Sequence, residues 1–291
     1  MSAEDTTKTP TGLALYTRAA EASAAEVIVA YSTSFGWATA LLGADCRQPV
    51  KNIYALVRVA DEIVDGAAAQ AGVEGAALLD ALEAETYRAM VTGFSSNLVV
   101  HAFAVTARSN AIGEDLVQPF FHSMRMDLTE TEHDPKSFDD YVYGSAEVVG
   151  LMCLQLFVRG LGLGDAAKAE LVAGARALGA AFQKVNFLRD LAADFKRLGR
   201  SYFPQVNVSN FDEATKQRLV DDIRADLAKS AACLPKLPKS ARTAVTAAHL
   251  LFEALNEKIA RTPAAELIER RIRVSNGRKL VILVRAMIRS L

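Results

Sequence analysis

The stretch RVADEIVD sets Arg58, Asp61 and Asp65 at helical spacing inside an otherwise apolar sequence. With each residue advancing about 100° around a helix axis, Tyr54, Arg58, Asp61 and Asp65 share a sector of roughly 60°. Glu62 is expected to point away from them. Ile53, Ala55, Leu56, Val57, Val59, Ile63 and Val64 cover most of the remaining circumference, so this helix is expected to be buried nearly all round. Carboxylates on a buried face need a counter-charge, because isolated ions in an apolar interior are costly. Two arrangements supply one: a structural salt bridge from Arg58 to the carboxylate at i+3, or a bound metal ion.

A second acidic face weighs against salt bridging alone. In QKVNFLRDLAADFKRLGRSYFP, Gln183 to Pro204, Asp190 and Asp194 fall within about 20° of Gln183 on the wheel, with Asn186 about 60° to one side. Two helices that each offer an aspartate pair four residues apart suit a metal-diphosphate site. Mg²⁺ takes oxygen ligands and is usually held by one or two carboxylates plus substrate phosphates and water. Such ions stabilise a departing pyrophosphate as its charge develops, which eases ionisation of an allylic C–O bond. The carbocation must then be kept from water. A helical cavity lined by Phe35, Phe121, Phe182 and Phe187 would do that and offer cation–π stabilisation, although each ring could equally be ordinary core packing.

The elements that must position these faces are helices throughout. Alanine and leucine abound, β-branched alternation is rare, and 3.6-residue periodicity recurs along the chain. Helices are expected over about 12–29, 34–42, 76–92, 98–112, 114–129 and 166–195. The RVADEIVD helix is expected to follow Pro49, and another to carry FDDYVYGSAEVVGLMCLQLF with Ser137 as its N-cap. Two or three more fill 213–291. No repeat and no flexible linker divides the chain, so residues 12–291 are expected to form one all-α domain behind a loose tail, 1–11.

Composition bounds the rest. The chain has 291 residues, 51% of them hydrophobic, enough for a large core, and its net charge of −1 argues against a nucleic-acid partner. Cys46, Cys153 and Cys233 form no CxxC pair, and His101, His122, His133 and His249 lack zinc spacing, so a reducing, cytoplasmic setting is expected. MSAEDTTKTPTG is polar and acidic, unlike a secretory signal. The longest apolar run, Val148 to Val158, is shorter than the roughly 20 residues that span a bilayer, so no membrane crossing is expected. The C-terminal RRIRVSNGRKLVILVRAMIRSL pairs arginines with an apolar stripe and suits either a membrane surface or a closing core helix. No glycine-rich fingerprint follows a strand, so no nicotinamide cofactor is expected.

YSTSF, NIYALVRVADEIVD, MRMDL, YVYGSAEVVGLM and QKVNFLRDLAADFKRLGRSYFP together resemble the squalene/phytoene synthase family, in order and spacing, over nearly the whole chain. The pattern is most similar to its bacterial phytoene-forming members. That resemblance implies an isoprenoid-synthase helical bundle around a central apolar cavity. It also implies head-to-head joining of two prenyl diphosphates through a cyclopropylcarbinyl diphosphate, requiring Mg²⁺, with Mn²⁺ as a substitute ion. Asp61 and Asp65 would hold metal for one diphosphate, and Asn186, Asp190 and Asp194 for the other. Tyr31, Ser32, Ser34, Phe35, Tyr54, Arg58, Gln183, Asn186, Arg189 and Arg271 would bind diphosphate or substrate; Arg270 is a neighbouring choice for the last. Tyr202 matches a residue near the diphosphates, on a loop expected to act as a lid, and Tyr143 an aromatic beside the reacting carbons.

Three departures stand out. Tyr31 replaces a common histidine, Glu147 replaces a small glycine, and Phe252 lies where a tyrosine is frequent. Gly36, Thr39 and Ala40 after Phe35 leave room for a long tail and favour twenty-carbon geranylgeranyl diphosphate over the fifteen-carbon substrate of squalene, hydroxysqualene or dehydrosqualene synthases. A catalytically silent helical assembly factor is the reading from another class, since fold does not settle function. Contact with the inner face of the membrane and with enzymes of the carotenoid pathway would be compatible with catalysis.

Overall fold

The computed structural model describes residues 10–198, 202–206 and 208–289; the side chains of 33, 34, 193–198 and 208 lie outside that description. Most of the expected tail, 1–11, is also outside it. Among the described residues there are helices and no strand. In order they are α1 (Gly12–Tyr31), α2 (Thr33–Ala40), α3 (Ala44–Val64), the single turn α4 (Ala67–Gln70), α5 (Gly75–Thr92), α6 (Leu98–Ser109) and α7 (Glu114–Thr129). Then follow α8 (Pro135–Val142), a π-helical turn (Tyr143–Glu147), α9 (Val148–Val158), α10 (Asp165–Leu198), α11 (Glu213–Cys233), α12 (Lys239–Arg261), α13 (Ala264–Leu267) and α14 (Asn276–Arg289).

Local chemistry sets the boundaries. Asn97 caps α6 by accepting from the Val99 and Val100 amides, and Asp212 caps α11 through the Thr215 amide. Gly93, at φ +81°, ends α5 in the left-handed conformation that a side chain would disfavour. Two expected starts are corrected. Helix α3 begins at Ala44, so Pro49 sits inside it, and Asp134, not Ser137, caps α8, with Pro135 pre-set at the first helical position.

Two apolar clusters make the body of the protein. One joins α3, α5, α6, α7 and α9 around Phe103, Phe120 and Phe121; the other joins α8, α10, α11 and α12 around Phe138, Phe187, Leu188 and Ile223. Lys184 of α10 donates to Asp222 and Asp226 of α11 and ties those helices together. The run Pro135–Val158 has the length and hydropathy of a membrane span, a test that the core helix of a bundle also passes. Here it packs within the bundle, against α3, α7 and α10.

The π turn in that run is held by close backbone approach. A Cβ on Gly144 would meet the Pro119 carbonyl oxygen and Ser123 Oγ at 2.1 Å, and one on Gly179 of α10 would meet the Ala146 carbonyl oxygen at 2.7 Å. Only glycine lets α7 and α10 grip the turn so closely. Gly144→Ala should therefore destabilise the protein by about 1–3 kcal/mol or more, read as a lowered melting temperature, whereas exposed Gly162→Ala should not.

Candidate active site

A cavity of about 810 Å³ runs between the two clusters, with an apolar interior and a charged mouth. Its mouth gathers the two faces predicted from helical spacing: Tyr54, Arg58, Asp61 and Asp65 from α3, and Gln183, Asn186, Arg189 and Asp190 from α10, joined by Arg271. Asp194 and Ser34 lie on α10 and α2, but their side chains are outside the described residues.

Around the first face the charges are closely balanced. Arg58 lies 3.9 Å from Asp61 but bonds directly to Glu62 at i+4, and Glu62 also accepts from the Ala67 amide. Glu62 thus lines the mouth with the others and does not point away; at i+4 it is only about 40° round the helix from Arg58. Burial works against the Arg58 charge, but the bond to Glu62 and the nearby Asp61 outweigh it and hold the guanidinium protonated. Burial pushes the Asp61 carboxyl up to about 7, with Arg58 opposing and Asp65 and Glu62 adding to the rise. The Asp61 side chain, 38% exposed, lines the cavity, where the surrounding protein disfavours its charged form.

Tyr31, in place of the family's frequent histidine, is half exposed and takes the Arg58 guanidinium over its ring at 4.3 Å. It therefore steadies a mouth residue and is not itself a wall of the cavity. Ser32 caps α2 through the Phe35 amide, and its hydroxyl also bonds Tyr54, whose phenol is raised mainly by burial. Phe35 and Tyr54 stack at 5.8 Å on the cavity wall.

On the second face Asp190 is held by two arginines. Arg189 donates to it from the adjacent position, and Arg271 Nε lies 2.6 Å from its Oδ1. Arg270 instead pairs with Glu266, and of the two neighbouring arginines it is Arg271 that lines the cavity. Asn186 Oδ1 is buried without a hydrogen-bond partner, an acceptor oxygen that a cation would satisfy. Among the described residues no three His, Cys, Asp or Glu side chains converge enough to hold a metal unaided. The donor set of Asp61, Asp65, Asn186 and Asp190 nevertheless fits Mg²⁺, which needs few protein oxygens when phosphates supply the rest.

Below the mouth lies a buried polar knot. Asp127 of α7 accepts from Tyr141 Oη through both carboxyl oxygens, at 3.0 and 2.9 Å, and from Tyr202 Oη at 3.3 Å. All three residues line the cavity. The Tyr202 ring stacks on Phe187 at 4.1 Å, so Tyr202 is packed into the wall and does not cover the mouth from outside. Gly199, in the same RLGRSYFP stretch, is outside the described residues. Burial, then the Asp127 charge, lifts the Tyr141 phenol well above its usual range, so it stays protonated.

Two expectations are corrected at this level. Tyr143 is not a cavity residue: its ring carries the Arg176 guanidinium at 5.1 Å, and Arg176 is paired with Glu147 at 2.6 Å. Glu147 thus binds a base away from the cavity, and Tyr141 is the tyrosine of that motif that lines it. Phe121 is fully buried against Phe120 in the first core cluster, while Phe35, Phe182 and Phe187 do line the cavity. Phe252 stacks on Phe182 at 3.7 Å, supporting the wall from behind. Asp127 was missed by helical pairing because no second carboxylate lies four residues from it, though MRMDL already placed a carboxylate among apolar neighbours.

The architecture, a helical bundle closed around an apolar cavity, is shared with synthases of known structure. It superposes on a dehydrosqualene synthase with TM-score 0.75 and 22% identity, covering 94% of this chain and 98% of that one. A squalene synthase from Alicyclobacillus acidocaldarius gives TM-score 0.73 and 19% identity over 88% and 97%. The chain belongs to the squalene/phytoene synthase family, whose model matches residues 28–278. It is 30% identical to phytoene synthase 3 of Zea mays over 91% of its own length, and 27% identical to the 15-cis-phytoene synthase of Enterobacter agglomerans over 88%. The chain spans 65% of the maize protein and 90% of the bacterial one.

Proposed function

We propose that the protein is a prenyltransferase that joins two geranylgeranyl diphosphates head to head, with Mg²⁺, through the cyclopropylcarbinyl intermediate prephytoene diphosphate to phytoene, releasing diphosphate. One observation carries this reading: the acidic faces of α3 and α10 line one and the same cavity, together with many apolar side chains. Bound at that mouth, Mg²⁺ would supply charge stabilisation to the departing diphosphate. Arg58, Arg189 and Arg271 can bind its oxygens, with Asp190 giving up arginine contacts as phosphate arrives. Phe35, Tyr54, Phe182 and Phe187 line the cavity, where aromatic rings would stabilise an allylic cation and keep water from it. Likeness to relatives named phytoene synthase supports the twenty-carbon choice.

Condensation of farnesyl diphosphate is the second reading, favoured by the squalene-type proteins that share the fold. Purified protein incubated with Mg²⁺ and either substrate decides by the hydrocarbon formed: a forty-carbon product supports the first reading, a thirty-carbon product the second. No product from either favours the assembly factor. Thr39 tests the tail pocket, since it is buried on the cavity wall with its hydroxyl bonded to the Phe35 carbonyl. Thr39→Phe should penalise geranylgeranyl relative to farnesyl diphosphate by about tenfold, as overpacking costs about 1–3 kcal/mol. The proposed setting is the cytoplasm, consistent with three free cysteines.

A further inference from the structure

Helix α14 carries three chemically distinct faces. Ile282 and Ala286 are buried, against Ala247 and Leu250 of α12. Leu280, Val281, Val284, Met287 and Ile288 form an arc of about 120° on the wheel. All five are exposed, Leu280 at 59%, Val281 at 62% and Ile288 at 65%. Arg278, Arg285 and Arg289 form a stripe about 40° wide beside that arc. No acidic residue lies between Asn276 and Arg289. In a chain of net charge −1, this is a local basic and apolar surface on one helix.

The same helix closes a seam into the active site. A small second cavity between α2, α12 and α14 is lined by Trp37, Leu251, Lys279 and Leu283, and shares Phe35, Ala38 and Ala248 with the main cavity. Trp37, partly exposed on α2, stands at this seam. We infer that α14 lies flat on an anionic bilayer, its apolar arc in the lipid and its arginines at the headgroups, with the α2–α14 seam facing the membrane as the side from which a hydrocarbon product leaves. The last element rests on the proposed function, since a forty-carbon hydrocarbon has no favourable destination in water.

Charge complementarity selects this occupant. A basic amphipathic helix with a broad apolar face binds anionic lipid through both terms, and tryptophan favours the interface. A second copy of the chain fits less well: five apolar side chains are far short of the roughly 20–30 residues a side that stable protein interfaces use.

The single tryptophan makes the inference directly testable. Full-length protein should co-sediment with phosphatidylglycerol vesicles, and bind phosphatidylcholine vesicles at least about tenfold more weakly. Val281→Asp/Ile288→Asp should weaken binding by about tenfold or more, with far-UV circular dichroism and melting temperature unchanged because both sites are exposed. Brominated phosphatidylglycerol should quench Trp37 emission in the wild type. Equal binding by the double variant, or no binding to either vesicle, would overturn the docking, as would self-association abolished by the double variant in protein that ignores vesicles. Binding without Trp37 quenching would overturn the placement of the seam. These measurements need no substrate, so their failure is distinct from failure to form hydrocarbon.

Discussion

Asp61→Asn is expected to lower turnover by about 10²–10³ at saturating Mg²⁺, while making the metal-free protein more stable above pH 7. The two effects have one origin. Burial lifts the Asp61 carboxyl from its ordinary value of 3.8 to about 7, so between those values the folded state holds a proton that the unfolded chain has lost. Stability from this group is complete below pH 3.8, is lost progressively across that interval and is gone above 7, where the carboxylate is charged beside Asp65 and Glu62. An asparagine never incurs that loss, so its melting temperature should exceed the wild type's at pH 8 by about 2–4 °C and differ less at pH 6. The wild type should also need more Mg²⁺ below pH 7, because metal and proton compete for the same oxygens, and the variant should lose that dependence. Thermal scans and Mg²⁺ titrations at the two pH values check this. Full turnover in the variant would reject Asp61 as a metal ligand, and a variant that unfolds would restore the structural salt bridge.

Asp127→Leu is expected to cut turnover by about a hundredfold, because the carboxyl positions two cavity tyrosines at once. Leucine would remove the carboxylate that accepts from the Tyr141 and Tyr202 hydroxyls, at about 1–3 kcal/mol, and the melting temperature should fall. Asp127→Asn keeps a carbonyl oxygen and should recover much of both losses. Tyr202→Phe separates the steps: if the hydroxyl serves the second ionisation, supplied geranylgeranyl diphosphate should be consumed while the cyclopropyl intermediate accumulates. Equal slowing of both steps would assign it to ionisation in general. Should Asp127→Asn and Asp127→Leu lose turnover alike, the carboxyl has a role beyond holding hydroxyls.

The helices and both acidic faces were legible because each rests on one periodicity. Tyr54, Arg58, Asp61 and Asp65 are fixed relative to one another by α3 alone, and Gln183, Asn186 and Asp190 by α10 alone. What sequence spacing could not carry is the choice between partners on different elements. Tyr141 and Tyr143 are about 200° apart on a helix, so only one can face a given wall, and the wall is chosen by α7 and α10, not by the local sequence. Arg58 had carboxylates within reach at i+3 and i+4, and took Glu62, which the Ala67 amide also anchors. The start of α3 was misplaced because Pro49 suits a first turn so well that an earlier one, through Ala44 and Asp45, left no comparable signal.

The π turn makes the long run from Pro135 to Val158 behave as a vernier. One additional residue per turn shifts the angular phase of everything beyond it by about 100°, without breaking the axis. Tyr141 before the turn and Val149, Gly150 and Cys153 after it all line the cavity across that shift. A strictly α-helical path would rotate one group away whenever the other faced inward. The length of this segment is therefore as constrained as its composition: removing a single residue from Tyr143–Glu147 would leave every remaining side chain chemically intact and still dismantle one wall, whereas the largely exposed loop of residues 160–164 has no such phase to keep.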